Sequence, residues 1–222
     1  MMRCPPSLAA IPLLFAIASA ADATQAGADL RVSGSIVPGG SCAMKLGSGI
    51  VDFGTISRAD LNPDPTLPTA LGGRPADLVI ECPTPTRYAL LGFSPSAAGI
   101  EDDKDFGLLS EEDRSPVGSL YIRIDNYADK IDGVRAYHTA ALASADLGSA
   151  EWGPSTFSPW PITRGTYAFG FVTQDGSRET PPPIRRLTTK LLIVPTIKPS
   201  GELDLTDEFS FTGDLGLELK YF

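Results

Sequence analysis

The strongest alternation of apolar and polar residues lies at the C-terminal end of the chain. Residues 209–222 have the sequence FSFTGDLGLELKYF. One set of alternate positions is apolar except for a single glycine, and it consists of Phe209, Phe211, Gly213, Leu215, Leu217, Leu219 and Tyr221. The other positions are polar or glycine as far as Lys220. A period of two is typical of a β-strand with one buried face, so this pattern predicts a final strand that belongs to a sheet.

Shorter runs with the same alternation recur along the chain between turns rich in glycine and proline. They predict strands at residues 30–36, 49–56, 77–82, 87–93, 118–124, 167–173 and 188–195. Residues 94–116 contain the charged runs EDDKD and SEEDR and are predicted to be exposed, and residues 125–161 are predicted to be rich in loops. Because the chain has 22 glycines, 20 prolines and no long run of helical period, it is predicted to be an all-β sandwich or barrel.

The N-terminal residues have the features of a secretory signal peptide. Arg3 precedes an apolar run at residues 8–18, and Ala18-Ser19-Ala20 forms a small-x-small cleavage site. Residues 1–20 are therefore assigned to the signal peptide, residues 21–29 to an N-terminal extension and residues 30–222 to one β-domain. No other run is long and apolar enough to suggest a membrane span, so the sequence predicts an exported protein.

The charge of the chain limits the classes of partner. The formal net charge is −9, and the only basic doublet, Arg185-Arg186, follows three prolines. An acidic surface without basic clusters disfavours nucleic acid and anionic membranes as partners.

Two cysteines remain after the signal peptide, Cys42 and Cys82. In an exported protein such a pair predicts one structural disulfide. A zinc site would need two more ligands, and the chain has one histidine, His138, with no cysteine near it in sequence. The sequence therefore predicts a disulfide, no metal and no cofactor.

No catalytic constellation is visible in the sequence. The chain has no G-x-S-x-G, H-E-x-x-H, C-x-x-C or phosphate-binding loop, so it is predicted not to be an enzyme. His138 is predicted to lie in a surface loop, and the acidic runs are predicted to be solvated. Aromatic residues of the loop-rich region could instead stack on sugars or anchor loops to a core, and the candidate ligand contacts are Tyr127, Tyr137, Trp152 and Trp160.

The order of these features resembles the chaperone–usher class of pilus subunits. The first cysteine follows SIVPGGS, the segment IVDFGTI comes next, the second cysteine ends DLVIEC, and a penultimate tyrosine, Tyr221, closes the final alternating strand. The LRVSGSIVP opening, the VDFGTIS segment, the Phe106-Gly107-Leu108 run and the LELKY ending resemble more specifically the GltF-like β-fimbria group, which is poorly characterised. The chain is longer than a common shaft pilin, with extra residues around 94–161.

The resemblance implies an immunoglobulin-like, pilin-type β-sandwich that is incomplete and has long loop insertions. Such a sandwich lacks one strand, and a strand from a periplasmic chaperone or from a neighbouring subunit fills the groove that remains. The implied partners are that chaperone, an outer-membrane usher and neighbouring pilus subunits, and the implied location is the periplasm and then a cell-surface fimbrium. The groove residues on the last strand would be Phe209, Phe211, Leu215, Leu217, Leu219 and Tyr221.

The donor strand and the function stay open at this point. Residues 21–29 contain only small apolar residues, so the donor is short and alanine-based, or it includes Leu30, Val32 and Ile36, or the subunit donates no strand and sits at the tip. The main hypothesis is a structural fimbrial subunit that contributes to surface adhesion. The alternative is a carbohydrate-binding tip adhesin, or a secreted β-sandwich binding protein, that uses the aromatic residues of region 125–161.

Overall fold

A computed structural model describes most of the chain after the first forty residues. The described residues are 41–47, 49–94, 102–205, 210–213 and 215–222, with backbone alone at 126 and 127. The predicted signal peptide, the N-terminal extension, the strand at 30–36, Phe209 and the side chain of Tyr127 lie outside the described part.

Thirteen strands in two antiparallel sheets make up this part of the chain. The strands of the larger sheet are β1 (Ala43–Leu46), β2 (Thr69–Ala70), β3 (Arg74–Thr86), β5 (Asp105–Ser110), β6 (Pro116–Ile131), β7 (Val134–Arg135), β9 (Trp160–Pro161), β11 (Ile184–Ile197) and β12 (Phe211–Gly213). Those of the smaller sheet are β4 (Tyr88–Phe93), β8 (Tyr137–Leu142), β10 (Tyr167–Val172) and β13 (Gly216–Tyr221). Two short 3₁₀ turns lie at Arg58–Asp60 and Ser200–Glu202.

The strand order places the two C-terminal strands at sheet edges. The larger sheet runs β1-β3-β11-β6-β5-β12, and the smaller one runs β13-β4-β10-β8. The long strands β3, β11 and β6 form the centre of the larger sheet. The two C-terminal strands are at the ends of the two orders, β12 on β5 and β13 on β4.

A hydrophobic core fills the space between the two sheets. Alternate residues of β3 are buried, among them Leu78 and Ile80, and the smaller sheet contributes Leu90 and Phe169. A single cluster of buried residues contributed by both sheets is typical of a β-sandwich. The prediction of an all-β sandwich is therefore confirmed.

The outer face of the smaller sheet is buried as well. Trp152 lies on Ala89, Ala141 and Ala168, and its indole N–H donates to the carbonyl of Leu147 at 3.2 Å. The sheet residues below the indole are small, so the ring packs close to the backbone. Burial on both faces explains why β4 and β10 are almost continuously apolar rather than alternating.

Two regions contain more strand than predicted. The charged residues at 102–104 and 111–114 are mostly exposed, as predicted, but β5 lies between them and buries Phe106 and Leu108 in the core. Region 125–161 is less irregular than predicted, because β6 continues to Ile131 and β8 is a full strand of the smaller sheet.

Gly118 lies in the larger sheet at a position with no room for a Cβ atom. A Cβ atom at this position would lie 2.1 Å from the backbone oxygen of Thr196 on the neighbouring strand β11. We expect Gly118→Ala to lower the free energy of unfolding by about 2 kcal/mol, because overpacking against backbone forces strands apart. Gly72→Ala is the matched control, since a Cβ there meets nothing within 4 Å. Urea unfolding of the two variants gives the comparison, and equal midpoints would contradict the predicted contact.

Candidate strand-binding groove

A groove of about 800 Å³ separates the C-terminal strands from the chain that follows β1. Its floor is formed by core residues of the larger sheet: Leu108, Leu120, Ile122, Ile193 and Ile197. One wall is residues 51–56, and the other is β12 together with Leu215. The groove therefore opens into the space between the two sheets.

The first wall is an extended segment that pairs with none of the described strands. Val51, Phe53 and Ile56 are half-buried and line the groove, and the guanidinium of Arg74 lies 5.5 Å from the Phe53 ring centre. In the described part of the chain, the backbone groups of Val51 and Phe53 make no hydrogen bond to another strand. Gly54 has a φ of 70°, a left-handed conformation that favours glycine, which explains the break in the strand predicted at 49–56.

The second wall is formed where the chain changes sheets. β12 pairs with β5 in the larger sheet, and only a few residues later β13 pairs with β4 in the smaller one. A Cβ at Gly213 would lie 2.1 Å from Cδ1 of Leu120, so the chain approaches the core closely before it crosses. The single strand predicted at 209–222 is thus two strands in different sheets.

The outer edge of β13 has backbone groups that are ready to pair. The amide of Phe222 donates to the carbonyl of Arg87 at 3.3 Å. Because bonded pairs alternate along an antiparallel ladder, the backbone groups of Leu217, Leu219 and Tyr221 point away from β4. No described strand pairs with this outer edge.

The inward side chains of the last strands are incompletely covered. Phe211, Leu215, Leu217 and Leu219 pack against the core, yet each is only half-buried. Tyr221 has the same phase and is 45% exposed. The structure therefore places these five residues on the inward face, as the sequence predicted, and leaves apolar surface open beside them.

The opposite edge of the smaller sheet is covered. Residues 153–156 run along β8, where the amide of Gly153 donates to Ala140 and His138 exchanges backbone bonds with Thr156. Proteins commonly cover sheet edges in this way, because an exposed edge pairs with other chains. The β13 edge differs from the β8 edge in that Leu215, the residue before β13, lines the groove.

Two contacts hold β13 in place from its outer face. The Lys220 ammonium donates to the carbonyls of Ala143 and Ala145 at 2.6 and 3.3 Å. The Phe222 ring lies 5.9 Å from the Trp152 ring. The edge strand is thus fixed by the 143–152 insertion and not only by its pairing with β4.

The predicted disulfide between Cys42 and Cys82 is confirmed. Cys42 directly precedes β1, and Cys82 lies on the neighbouring strand β3. The bond therefore fixes the start of β1 to the centre of the larger sheet, directly before the chain enters the first wall of the groove.

The aromatic residues proposed as ligand contacts lie in packed positions. Trp152 is 2% exposed, and the Trp160 ring packs edge-on against Phe169 at 6.1 Å. Tyr137 is half-buried under the guanidinium of Arg135. The two tryptophans anchor loops to the sheets, and neither presents a ring face as an open platform for a sugar.

His138 does not lie in a surface loop, so that prediction was wrong. Its ring is fully buried, with Nδ1 3.3 Å from Oδ2 of Asp129 and Nε2 2.9 Å from the carbonyl of Ser158. Thr189 donates its hydroxyl to the other oxygen of Asp129. This buried polar cluster fixes the segment that covers the β8 edge. The sequence YHTAAL does not alternate, because β8 is buried along most of its length, so no period of two indicated a strand there.

A protein-family model matches part of the chain. The model of a family described as "Protein of unknown function (DUF1120)" matches residues 30–131, a little under half of the chain. No curated protein and no solved structure matches the chain. The similarity covers β1 to β6 and hence the first wall and much of the floor of the groove, but not the C-terminal strands.

No helix in the described ranges has the length and apolar character that crossing a membrane requires. The predictions of no catalytic centre, no cofactor, and no nucleic acid as partner stay predictions.

Proposed function

We propose that this protein is an exported fimbrial subunit whose sandwich is completed by an extended strand from another protein. The observation that supports this proposal is the groove of about 800 Å³ between residues 51–56 and the C-terminal strands. One wall, residues 51–56, pairs with none of the described strands, the other wall contains β12, which is an edge strand paired with β5, and the floor is the core itself.

The chemistry of the groove suits an extended peptide better than a small molecule. An incoming strand would form main-chain hydrogen bonds with the outer edge of β13, and its alternate side chains would enter the space beside Leu215 and Leu217. The half-buried apolar residues of both walls would then become fully buried. An unpaired edge beside open apolar surface promotes aggregation, so such a subunit needs a chaperone before assembly.

The partners follow from this requirement. A periplasmic chaperone would supply the strand first, and an usher and a neighbouring subunit would replace it during assembly at the cell surface. This order places the protein in the periplasm and then in a fimbrium, where it would contribute to adhesion.

Co-expression in the periplasm with and without the cognate chaperone tests the proposal. We expect a soluble complex with the chaperone and aggregated or degraded protein without it. The double substitution Leu217→Asp and Leu219→Asp should abolish the complex, because it places two charges on the inward apolar face of β13, where the added strand would pack. Glu218→Gln is the matched control, since Glu218 is exposed on the other face of β13 and should leave the complex intact.

A soluble, monomeric and protease-resistant wild-type protein in the absence of the chaperone would overturn the proposal. Such a protein would be a complete sandwich that needs no added strand.

A further inference from the structure

The groove is bridged at the end that holds the disulfide. The backbone N–H of Cys42 donates a hydrogen bond to the hydroxyl of Tyr221 at 3.0 Å. Cys42 directly precedes β1, and Tyr221 is the last residue of β13. This contact therefore joins an edge strand of the larger sheet to the edge strand of the smaller one.

The open part of the groove begins on the other side of this contact. Among the described residues, its lining runs from Leu46 and Leu215 to Leu203 and Leu205, and it includes neither Cys42 nor Tyr221. The contact between Cys42 and Tyr221 thus lies beyond the part of the groove that these residues line.

The bridge and an added strand would compete for the same space. The backbone groups of Leu217, Leu219 and Tyr221 point away from β4 and are those an added strand would bond. The Tyr221 side chain leaves the inward face of β13 and reaches the amide of Cys42 at the start of β1. A strand added along the whole of β13 would place its own inward side chains beside Tyr221 and would therefore compete with the contact to Cys42.

A buried polar group, the hydroxyl of Tyr88, lies near Tyr221. Tyr88 lies opposite Tyr221 in the β4–β13 ladder and is 3% exposed, and in the described part of the chain its hydroxyl has no hydrogen bond. Burial raises the pKa of Tyr88, and the nearby charge of Asp132 and the Tyr221 hydroxyl raise it further. An unsatisfied buried hydroxyl is a cost that an arriving backbone N–H or C=O would relieve.

We propose that Tyr221 and the Cys42 amide form a latch that keeps the disulfide end of the groove closed until a strand displaces it. The proposal rests on the proposed function, because a latch matters only if the groove takes up a strand. A strand enters at the open end near Leu215 and extends towards the disulfide, and breaking the latch is the last step. The latch limits the rate at which a strand is taken up. A non-cognate peptide that does not displace Tyr221 pairs with only part of β13.

Tyr221→Phe tests the latch, because it removes the hydroxyl and keeps the ring. The probe is a fluorescein-labelled peptide of alternating valine and threonine with lysine ends, and its uptake by the mature chain is followed by fluorescence anisotropy. We expect Tyr221→Phe to raise the uptake rate about fivefold, the effect of losing one ordinary hydrogen bond. Tyr121→Phe is the matched control, since Tyr121 lies on β6 outside the groove, and it should leave the rate unchanged.

Hydrogen exchange of the Cys42 amide gives an independent readout. We expect this amide to be protected in the wild type and in Tyr121→Phe, and to exchange faster in Tyr221→Phe. Equal uptake rates in wild type and Tyr221→Phe would overturn the latch and leave the proposed function standing. If no protein takes up the peptide, the result counts against the proposed function, and the Cys42 amide then decides the latch alone: unchanged protection in Tyr221→Phe would overturn it.

Discussion

Appending a strand to the C-terminus is expected to raise the free energy of unfolding by about 5 kcal/mol, because buried apolar area and new main-chain bonds outweigh the ordering of the added residues. The appended segment is a short Asn-Gly turn after Phe222, followed by a strand of alternating valine and threonine. It would run back along the outer edge of β13, with its valines beside Leu217 and Leu219. Phe211 and Leu215, which are now half-buried, would become covered.

Chemical unfolding of the mature chain with and without the added strand measures this effect. The matched control has the same turn and strand with aspartate in place of each inward valine, and it should give no stabilisation. If the valine and aspartate strands stabilise equally, the added residues do not enter the groove. If neither stabilises, the groove is not the place of a missing strand.

Replacing both Cys42 and Cys82 by alanine is expected to lower the free energy of unfolding by about 4 kcal/mol. The bond closes a loop with a sequence separation of 40 residues, and its loss restores the conformational freedom of that loop in the unfolded chain. The folded state is affected as well. Among the described strands, β1 pairs with β3 alone and is four residues long, so the start of the first groove wall would lose its main attachment.

Urea unfolding with and without dithiothreitol tests this prediction. The reductant should lower the stability of the wild type to that of the double variant and should leave the double variant unchanged. Coincident unfolding curves for the oxidised wild type and the double variant would contradict it.

Much of the fold could be predicted from the sequence because the inward residues of single-face strands alternate. The phase of the last strand assigned Leu215, Leu217, Leu219 and Tyr221 to the inward face, and the structure agrees. The disulfide followed from a pair of cysteines in an exported chain. The groove itself was expected only through the resemblance to pilus subunits.

Other features could not be predicted because the local pattern was ambiguous. The charges around Phe106 and Leu108 concealed a fully buried strand, since neighbouring turns contribute most of the polar residues of that stretch. A period of two continues unchanged through Gly213 and Gly216, so alternation alone could not show that the chain changes sheets there. The two glycines were the only local signal of a close crossing.

Buried polar residues were the second source of error. His138 is a polar residue in a short strand, and only the tertiary partners Asp129 and Ser158 make its burial favourable.

Trp152 was a candidate ligand contact because it lies in a long connection. The small residues that receive its ring, such as Ala89 and Ala168, are distant in sequence and gave no local indication of the contact.

The most direct test of the account is amide hydrogen exchange along β13 in the native chain and in the chain with the appended valine–threonine strand. The amides of Leu217, Leu219 and Tyr221 should exchange slowly only when the added strand is present, because they point to the outer edge. The amides of Glu218 and Lys220 bond to β4 and should be protected in both proteins. This alternating gain of protection is the result expected if an added strand pairs with the outer edge of β13. Equal exchange at Leu217 and Leu219 in the two proteins would contradict the claim that the groove beside β13 receives a strand.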